Sequence, residues 1–600
     1  MFLTRVLYFI LFILVLTARS YSQSLTNKRA EWFTEDRFGM FIHWGVYSGA
    51  EGYWKGEKLR NDNDYAEWIY YRNRIEKDEY LTLLDRFNWD EINPEEWVIL
   101  AKKSGMKYVT ITAKHHDGFG LWDSKVSNYD IGDFTDPKRD IVKELADACA
   151  KHKLKLGLYY SHWVDWEHEF GWDHTKEITG ILPENYNKYW QEKVIPQIQE
   201  LLTGYGEISI MWFDMWIHHS RTIVTKEQLL QLKSLIRELQ PNCLVNSRLG
   251  LSIEEDPDID FKTLGDNQLG NKKEDFPWQS PATVAHSWGF HSSDTQWKST
   301  TTLLKSLINN VSLNGNFMLN IGPRANGHVP YEISQRMLEM GKWLEVNGES
   351  IYGAEAFDLD KDQHDWGKMT CKNTKEGFKL FLHLYNCPLN YSLNVTGIKT
   401  APDKVYILAD EQRIPLVFTH SDVFTKIELP VLQSDPYIPV LVVEYKRKPF
   451  IEEGLVSKTT DNGYSLTPRN IHPIDETILI AGKERRGTIP ERAIIDAKKN
   501  LTWKIYIDDP GEKKVDVSYS FQSDSNKNTI IFNAANQYLS HTVHPTGKTV
   551  GEPKQNWIID NYQSHKIGSI NFPEKGIYEI ALEISPIVQN KIEFQWIWIK

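Results

Sequence analysis

Six hundred residues exceed what one hydrophobic core supports and predict two to four domains. A formal net charge of −12, with no basic block to offset it, excludes a nucleic-acid partner. Four cysteines in so long a chain exclude a disulfide framework, although Cys371 and Cys387 are spaced to pair across neighbouring strands in an oxidising compartment.

In chain order, residues 1–22 have the form of a secretory signal. Arg5 supplies a positive start, LYFILFILVL (7–16) an apolar run, and Ser20-Tyr21-Ser22 small residues before a cut near Gln23. The run is too short to span about 30 Å of hydrocarbon comfortably, and no later stretch is apolar enough to do so. The expectation is a mature chain without a membrane span, secreted or periplasmic. From about residue 30 to 345, apolar runs alternate with amphipathic helical stretches such as DIVKELADACAKHK (140–153) and NYNKYWQEKVIPQIQELLTGY (185–205). The runs are GMFIHWG (39–45), KYVTITAKHH (107–116), LKLGLYYS (154–161), ISIMWFD (208–214), CLVNSR (243–248) and FMLNIGP (317–323). Alternation of this kind predicts an α/β fold with a parallel sheet, and the length suits a (β/α)8-like barrel of about 250 residues. A doubly wound sheet is the alternative, but no glycine-rich phosphate loop follows the first run. The runs also end in polar or aromatic groups: His43-Trp44, His115-His116-Asp117, Tyr159-Tyr160-Ser161, Asp214, Asn246 and Arg248. In barrels that end of the strands builds the active site.

After Gly353 the texture becomes that of short strands divided by turn residues. An antiparallel β-sandwich is expected over 354–447, a charged linker over 448–475, and an accessory all-β sandwich over 476–600. Tryptophan and tyrosine, 22 and 28 in number, are plentiful enough to stack on the C–H faces of sugars, a use as compatible with the count as burial in large cores.

The chemistry concentrates at the strand ends. Asp214 follows an apolar strand between Trp212 and Trp216, where a carboxylate costs desolvation unless it is paired or functional. It is either a glycosidase carboxylate that attacks an anomeric carbon or a structural aspartate bonded to loop amides. His43, His115 and His116 suit sugar hydroxyls, a metal with Asp117, or a satisfied core. Arg248 suits a ligand hydroxyl or a carboxylate; His218 and His219 read as solvated loop residues.

RFGMFIHWGVYS (37–48), YAEW (65–68), AKKSGMKYVTITAKHHDGFGLWDS (101–124), KLGLYYS with WVDW (155–166), MWFD (211–214), NSR (246–248), SWGF (287–290), WKS (297–299), NGNFMLNIGP (314–323) and NGESIYG (347–353) occur in this order. Through them the chain resembles the α-L-fucosidases of glycoside hydrolase family 29. The resemblance implies a (β/α)8-like catalytic domain followed by a β-sandwich. It also implies removal of terminal α-L-fucosyl residues from a fucosylated oligosaccharide or polysaccharide, by double displacement without a metal or other cofactor. Asp214 falls on the family's nucleophile, and His43, Glu67, Trp68, His115, His116, Tyr159, Trp212 and Arg248 fall on sugar-contact positions. Phe41, Tyr159 and Trp212 are then suited to the C6 methyl that marks fucose.

The acid/base departs from the family pattern. Where relatives carry a loop glutamate, this chain has Gly265 in DFKTLGDNQ (260–268) and Gln279 in PWQSP (277–281). Asp266, one residue along, is the leading replacement; His286, His291, Glu254, Glu255 and Glu274 are others, and loss of the group altogether remains open. Three further readings follow: a fucose-binding derivative without turnover, an enzyme for a related sugar such as L-galactose, or one for sulfated fucans with Lys262, Lys272 and Lys273 facing the anion.

Overall fold

In the computed structural model the described residues are 28–59, 65–359, 363–431, 437–473, 478–481, 492–522, 528–547, 561–585 and 591–600. The expected export signal at 1–22 lies outside them. Among the described residues no helix is long and apolar enough to cross a membrane. The chain divides into two compact units, one ending at Ala354 and the other beginning at Glu355.

The first unit is built on eight parallel strands: β1 (Phe38–Ile42), β2 (Tyr108–Lys114), β3 (Lys155–Tyr160), β4 (Ile210–Phe213), β5 (Leu244–Val245), β6 (Lys262–Thr263), β7 (Trp278–Thr283) and β8 (Asn316–Ile321). Their hydrogen-bonded order is β5-β4-β3-β2-β1-β8-β7-β6. A parallel bridge from Asn246 to Phe261 joins the two ends, with Asp260 N donating to the Val245 carbonyl at 3.0 Å, so the sheet closes in chain order as a barrel. β1, β2, β7 and β8 are buried along their whole length, because a barrel strand has core on one face and helices on the other.

The outer helices are α1 (Pro94–Lys103), α2 (Ile141–His152), α3 (Ile195–Gly204), α4 (Lys226–Leu239), α5 (Thr300–Val311) and α6 (Tyr331–Asn347). Local sequence sets where they begin. Asn93 caps α1 with Pro94 at its first position, Asp140 caps α2 through Lys143 N, and Thr225 forms a capping box with Gln228 on α4. The connections β5–β6 and β6–β7 carry no α-helix, and the loops that replace one bear Asp266 and the residues around it.

Behind the end of β3 lies a buried charge cluster. Lys114 Nζ donates to Asp165 Oδ2 (2.9 Å), the Ser161 carbonyl (2.8 Å) and Tyr189 Oη (3.2 Å), and Lys193 Nζ reaches the same Asp165 oxygen at 2.9 Å. Asp165 also accepts the backbone N–H groups of Glu167 and His168. This cluster fixes the WVDW turn, and with it Trp163 and Trp166.

The second unit holds two β-sandwiches. In the first, a five-stranded sheet including Gly367–Thr374, Gly377–Leu384 and Val440–Tyr445 and a three-stranded sheet of Ser392–Thr396, Phe424–Glu428 and Phe418–Ser421 share one apolar core. In the second, Trp503, Ile505, Val517, Phe532, Leu582 and Ile597 pack between a five- and a six-stranded sheet. The stretch expected as a linker carries Leu455–Val456, paired parallel with Lys504–Ile505, and Tyr464–Leu466, paired antiparallel with Ile597–Ile599. The expected Cys371–Cys387 pairing is corrected: both thiols are free, Cys371 buried and Cys387 exposed. The register explains it, since Leu380 stands opposite Cys371 and Cys387 lies beyond the end of its strand at Leu384.

Although burial opposes its ionisation, Lys114 and Lys193 hold the Asp165 carboxyl well below the usual carboxylate range. Its stabilising contribution is therefore present above the unfolded-state value of about 4 and is lost only as the pH falls through the lower folded-state value. Asp165→Asn leaves the buried Lys114 ammonium without a counter-charge and Lys193 with Glu167 alone, and is expected to cost about 3–5 kcal/mol by denaturant unfolding at neutral pH. A loss under about 1 kcal/mol contradicts this role.

Candidate active site

The polar strand ends converge at one mouth of the barrel, around Asp214. The β4–β5 ladder ends at Met211–Val245, and the Asn246 side chain continues it: Oδ1 accepts Phe213 N and Nδ2 donates to Phe213 O, each at 2.9 Å. This side-chain latch fixes the backbone immediately before Asp214. Beyond it, Trp163 Nε1 donates to the Asp214 carbonyl (2.9 Å) and Met215 N to the Arg248 carbonyl (2.8 Å).

So held, the Asp214 carboxyl accepts Arg248 Nη1 on Oδ1 at 2.7 Å and Tyr159 Oη on Oδ2 at 3.1 Å, with His116 Nε2 3.6 Å from Oδ2. Arg248 lies on a 3₁₀ turn, Ser247–Leu249. Its other terminal nitrogen donates to the Leu264 carbonyl and to Asp266 Oδ1, each at 2.7 Å. One guanidinium thus grips two carboxyls, in the fork geometry that suits arginine and not lysine. Asp266 keeps 31 % of its side chain exposed against 15 % for Asp214, so it faces the open side.

The hydrogen-bond partners set the histidine tautomers. Asn320 Nδ2 donates to the Trp288 carbonyl (2.7 Å), which turns its Oδ1 to His43 Nδ1 at 2.6 Å. His43 Nδ1 therefore carries the proton and Nε2 is an acceptor. Likewise Ser161 Oγ donates to the Val164 carbonyl and accepts from His116 Nδ1, each at 2.7 Å, leaving His116 Nε2 free to accept from a ligand hydroxyl. His115 lies flat on Tyr159 (centroids 5.4 Å, 12°). Burial lowers all three imidazoles, His43 to about 4 and His115 and His116 well below their ordinary value, so each is neutral at neutral pH.

Glu67 and Trp68 come from the 3₁₀ turn Ala66–Trp68. Glu67 Oε2 accepts Gly289 N at 2.8 Å; burial pushes its carboxyl up to about 8, with Asp266 and Asp214 adding to the rise. It is a neutral acid at pH 7, able to donate. Trp68 packs on His116 at 5.6 Å. Beneath the carboxyls, Phe41, Tyr159 and Trp212 form an apolar floor with centroid separations of 5.1–5.9 Å.

The structure thus brings Asp214, Asp266, Arg248, Tyr159, His116 and Trp212 into one site, with His43, His115, Glu67 and Trp68 around them. Asp117 turns away to Tyr80 Oη (2.9 Å) and Phe119 N. Gln279 is not on a loop: it lies inside the barrel on β7, accepting Trp212 Nε1 and donating to Tyr108 Oη, each at 2.9 Å, so it braces the floor. The other acid candidates are engaged elsewhere or exposed. His291 packs against Tyr53 and Ser293, His286 against Tyr65, and Glu254 is exposed. Glu255 receives His218 and His219 at 2.9 and 3.4 Å, so those histidines are tied to a carboxylate and not merely solvated. Glu274 takes Lys262 and Lys272 at 3.3 and 3.4 Å, two of the three lysines expected to face a sulfate. Asn320, Ser161 and Trp163 escaped the sequence reading as positioning residues. Each sits inside a motif quoted above, but only the fold reveals its partner.

The chain is similar in sequence and fold to known proteins. The α-L-fucosidase family profile matches residues 16–349, more than half of the chain. An α-L-fucosidase of Dictyostelium discoideum is 32% identical over 342 residues, covering 54% of this chain and 71% of that one. The crystal structure of an α-L-fucosidase from Vibrio sp. strain EJY3 superposes with a TM-score of 0.74 at 26% identity, over 95% of this chain and 97% of that one. A Bacteroides thetaiotaomicron α-L-fucosidase, trapped as a covalent intermediate with 2-fluoro-fucosyl fluoride in a glutamate-to-glutamine mutant, superposes with a TM-score of 0.61 at 25% identity, over 70% and 96%. The chain belongs to the α-L-fucosidase family of glycoside hydrolases.

Proposed function

We propose that the protein removes terminal α-L-fucosyl residues from glycans with retention of configuration, Asp214 acting as nucleophile and Asp266 as acid/base. The observation that carries this reading is the shared guanidinium: Arg248 bonds both carboxyls at 2.7 Å, a pairing suited to the short separation that retaining chemistry needs, about 5–5.5 Å. The ionised Asp214 attacks C1 as Asp266 gives its proton to the departing glycosidic oxygen. Formation of the ester removes the Asp214 charge and leaves Arg248 facing Asp266 alone. That carboxylate then takes a proton from the water that attacks C1 from the opposite side, and two inversions restore the α configuration.

The floor of Phe41, Tyr159 and Trp212 supports fucose over L-galactose, because its two donors are already committed, the Tyr159 hydroxyl to Asp214 and the Trp212 N–H to Gln279. The neutral imidazoles and the protonated Glu67 are suited to ring hydroxyls. A fucose-binding derivative without turnover gains nothing from the family match, and it has no use for a nucleophile held by three hydrogen bonds. The apolar run at 7–16 supports export to a secreted or periplasmic address.

The test compares an aryl α-L-fucoside with a fucosyl oligosaccharide. Asp214→Ala is expected to abolish hydrolysis of both. Asp266→Asn is expected to lower kcat/KM by about 10²–10⁴ on the oligosaccharide and far less on the aryl substrate, whose leaving group needs little protonation. Equal losses on both substrates, or none, would place the acid elsewhere.

Glu67 generates a pH prediction. Its neutral form prevails below about 8, so fucose affinity should decline as the pH rises through that value. Glu67→Gln keeps the acceptor for Gly289 N and a donor without titrating, and should flatten this decline in a calorimetric pH series; an unchanged profile removes Glu67 as its source.

A further inference from the structure

Around Asp214 the aromatic side chains are almost all covered. Phe41, Tyr159, Trp212 and Trp163 are each no more than 2 % exposed, whereas Trp216, two residues beyond Asp214, is 42 % exposed. Nothing in the chemistry at C1 uses it. A large aromatic ring left open beside a site offers a ligand an apolar face on which to stack.

Its setting is aromatic. The indole stands edge-on to Trp163 (centroids 4.8 Å, 69°) and to His116 (5.5 Å, 72°), and lies parallel to His174 (5.9 Å, 16°). Trp163 in turn stacks on Trp172 (4.4 Å, 16°) and holds the Asp214 carbonyl through Nε1. The open ring is therefore fastened, through one tryptophan, to the backbone of the proposed nucleophile. It is also one imidazole away from the carboxyl, since His116 Nε2 is 3.6 Å from Asp214 Oδ2.

We propose that Trp216 is the stacking platform for the leaving-group sugar, the pyranose ring to which the terminal fucosyl residue is attached. This rests on the fucosidase reading and deepens it. The sugar being cleaved occupies the covered floor, so the residue it leaves behind must lie toward solvent, where Trp216 offers the open aromatic face. The C–H face of a pyranose is an apolar surface of matching size, and its hydroxyls remain in water at the rim. Trp216 is then a specificity residue: it favours glycosides whose leaving group is a sugar over those with no ring to stack.

The experiment uses the full chain with two kinds of substrate: α-L-fucosyl fluoride, whose leaving group has no ring, and a panel of fucosyl disaccharides. The quantity read is the ratio of kcat/KM for the best disaccharide to that for the fluoride. Trp216→Ala is expected to lower this ratio about five- to tenfold, as loss of one aromatic contact implies, and Trp216→Phe to restore most of it. A ratio unchanged in Trp216→Ala overturns the platform. A parallel fall on both substrates also overturns it, since that is the signature of a residue that only positions Asp214. A wild type inactive on the fluoride contradicts the fucosidase reading itself. The platform is then judged by calorimetry in Asp214→Ala, where adding Trp216→Ala should weaken the disaccharide relative to free L-fucose, and an equal effect on both overturns it.

Discussion

Arg248 sits where three consecutive strand ends meet. It follows β5, bonds Asp214 at the end of β4, and bonds Asp266 and the Leu264 carbonyl on the loop after β6. A single positive charge between two carboxyls neutralises only one of them. Burial pushes the Asp214 carboxyl up and the guanidinium pulls it back, which lets a charge persist in a place that water scarcely reaches. In the proposed reaction, consumption of one carboxylate charge in the first half changes what the arginine does for the other. The same three hydrogen bonds that order the loop therefore also link the two halves of the cycle.

The rest of the first unit can be understood as support for that arrangement. The Asn246 amide extends the β4–β5 ladder by one residue, Trp163 holds the Asp214 carbonyl, and the buried Lys114–Asp165–Lys193 cluster holds the turn that carries Trp163. Around the carboxyls the protein surrounds charge with neutral groups. Three imidazoles are uncharged by burial, and Glu67 keeps its proton for the same reason. Charge is thus concentrated on the two carboxyls and their arginine, and the neutral donors and acceptors around them cost less to desolvate than charged ones would.

The barrel was legible in the sequence because its strands are buried on both faces and its helices carry their own caps, so periodicity and capping agree. The site was legible because barrel geometry sends the last residues of every strand to one mouth, which made His43, His115, Tyr159, Asp214 and Arg248 stand out as strand ends. What escaped was whatever depends on contacts between distant segments. Gln279 occupies a position that motif spacing assigned to a loop, yet alternation along β7 turns it into the barrel under Trp212. Asn320 and Ser161 are unremarkable polar residues until the fold sets them against His43 and His116. The Cys371–Cys387 pairing failed for a similar reason: spacing alone does not reveal that the second cysteine lies past the end of its strand.

The account depends on Asp214 being the group that bonds to the sugar. The direct measurement is to incubate the protein with 2-fluoro-fucosyl fluoride, quench, digest with a protease and map the adduct by mass spectrometry. One fluoro-fucosyl group per chain is expected, on the peptide bearing Asp214, with no labelling in Asp214→Ala. An adduct on another carboxylate, or none while the fluoride is consumed by wild type, would contradict the assignment of the nucleophile and the role given to Arg248.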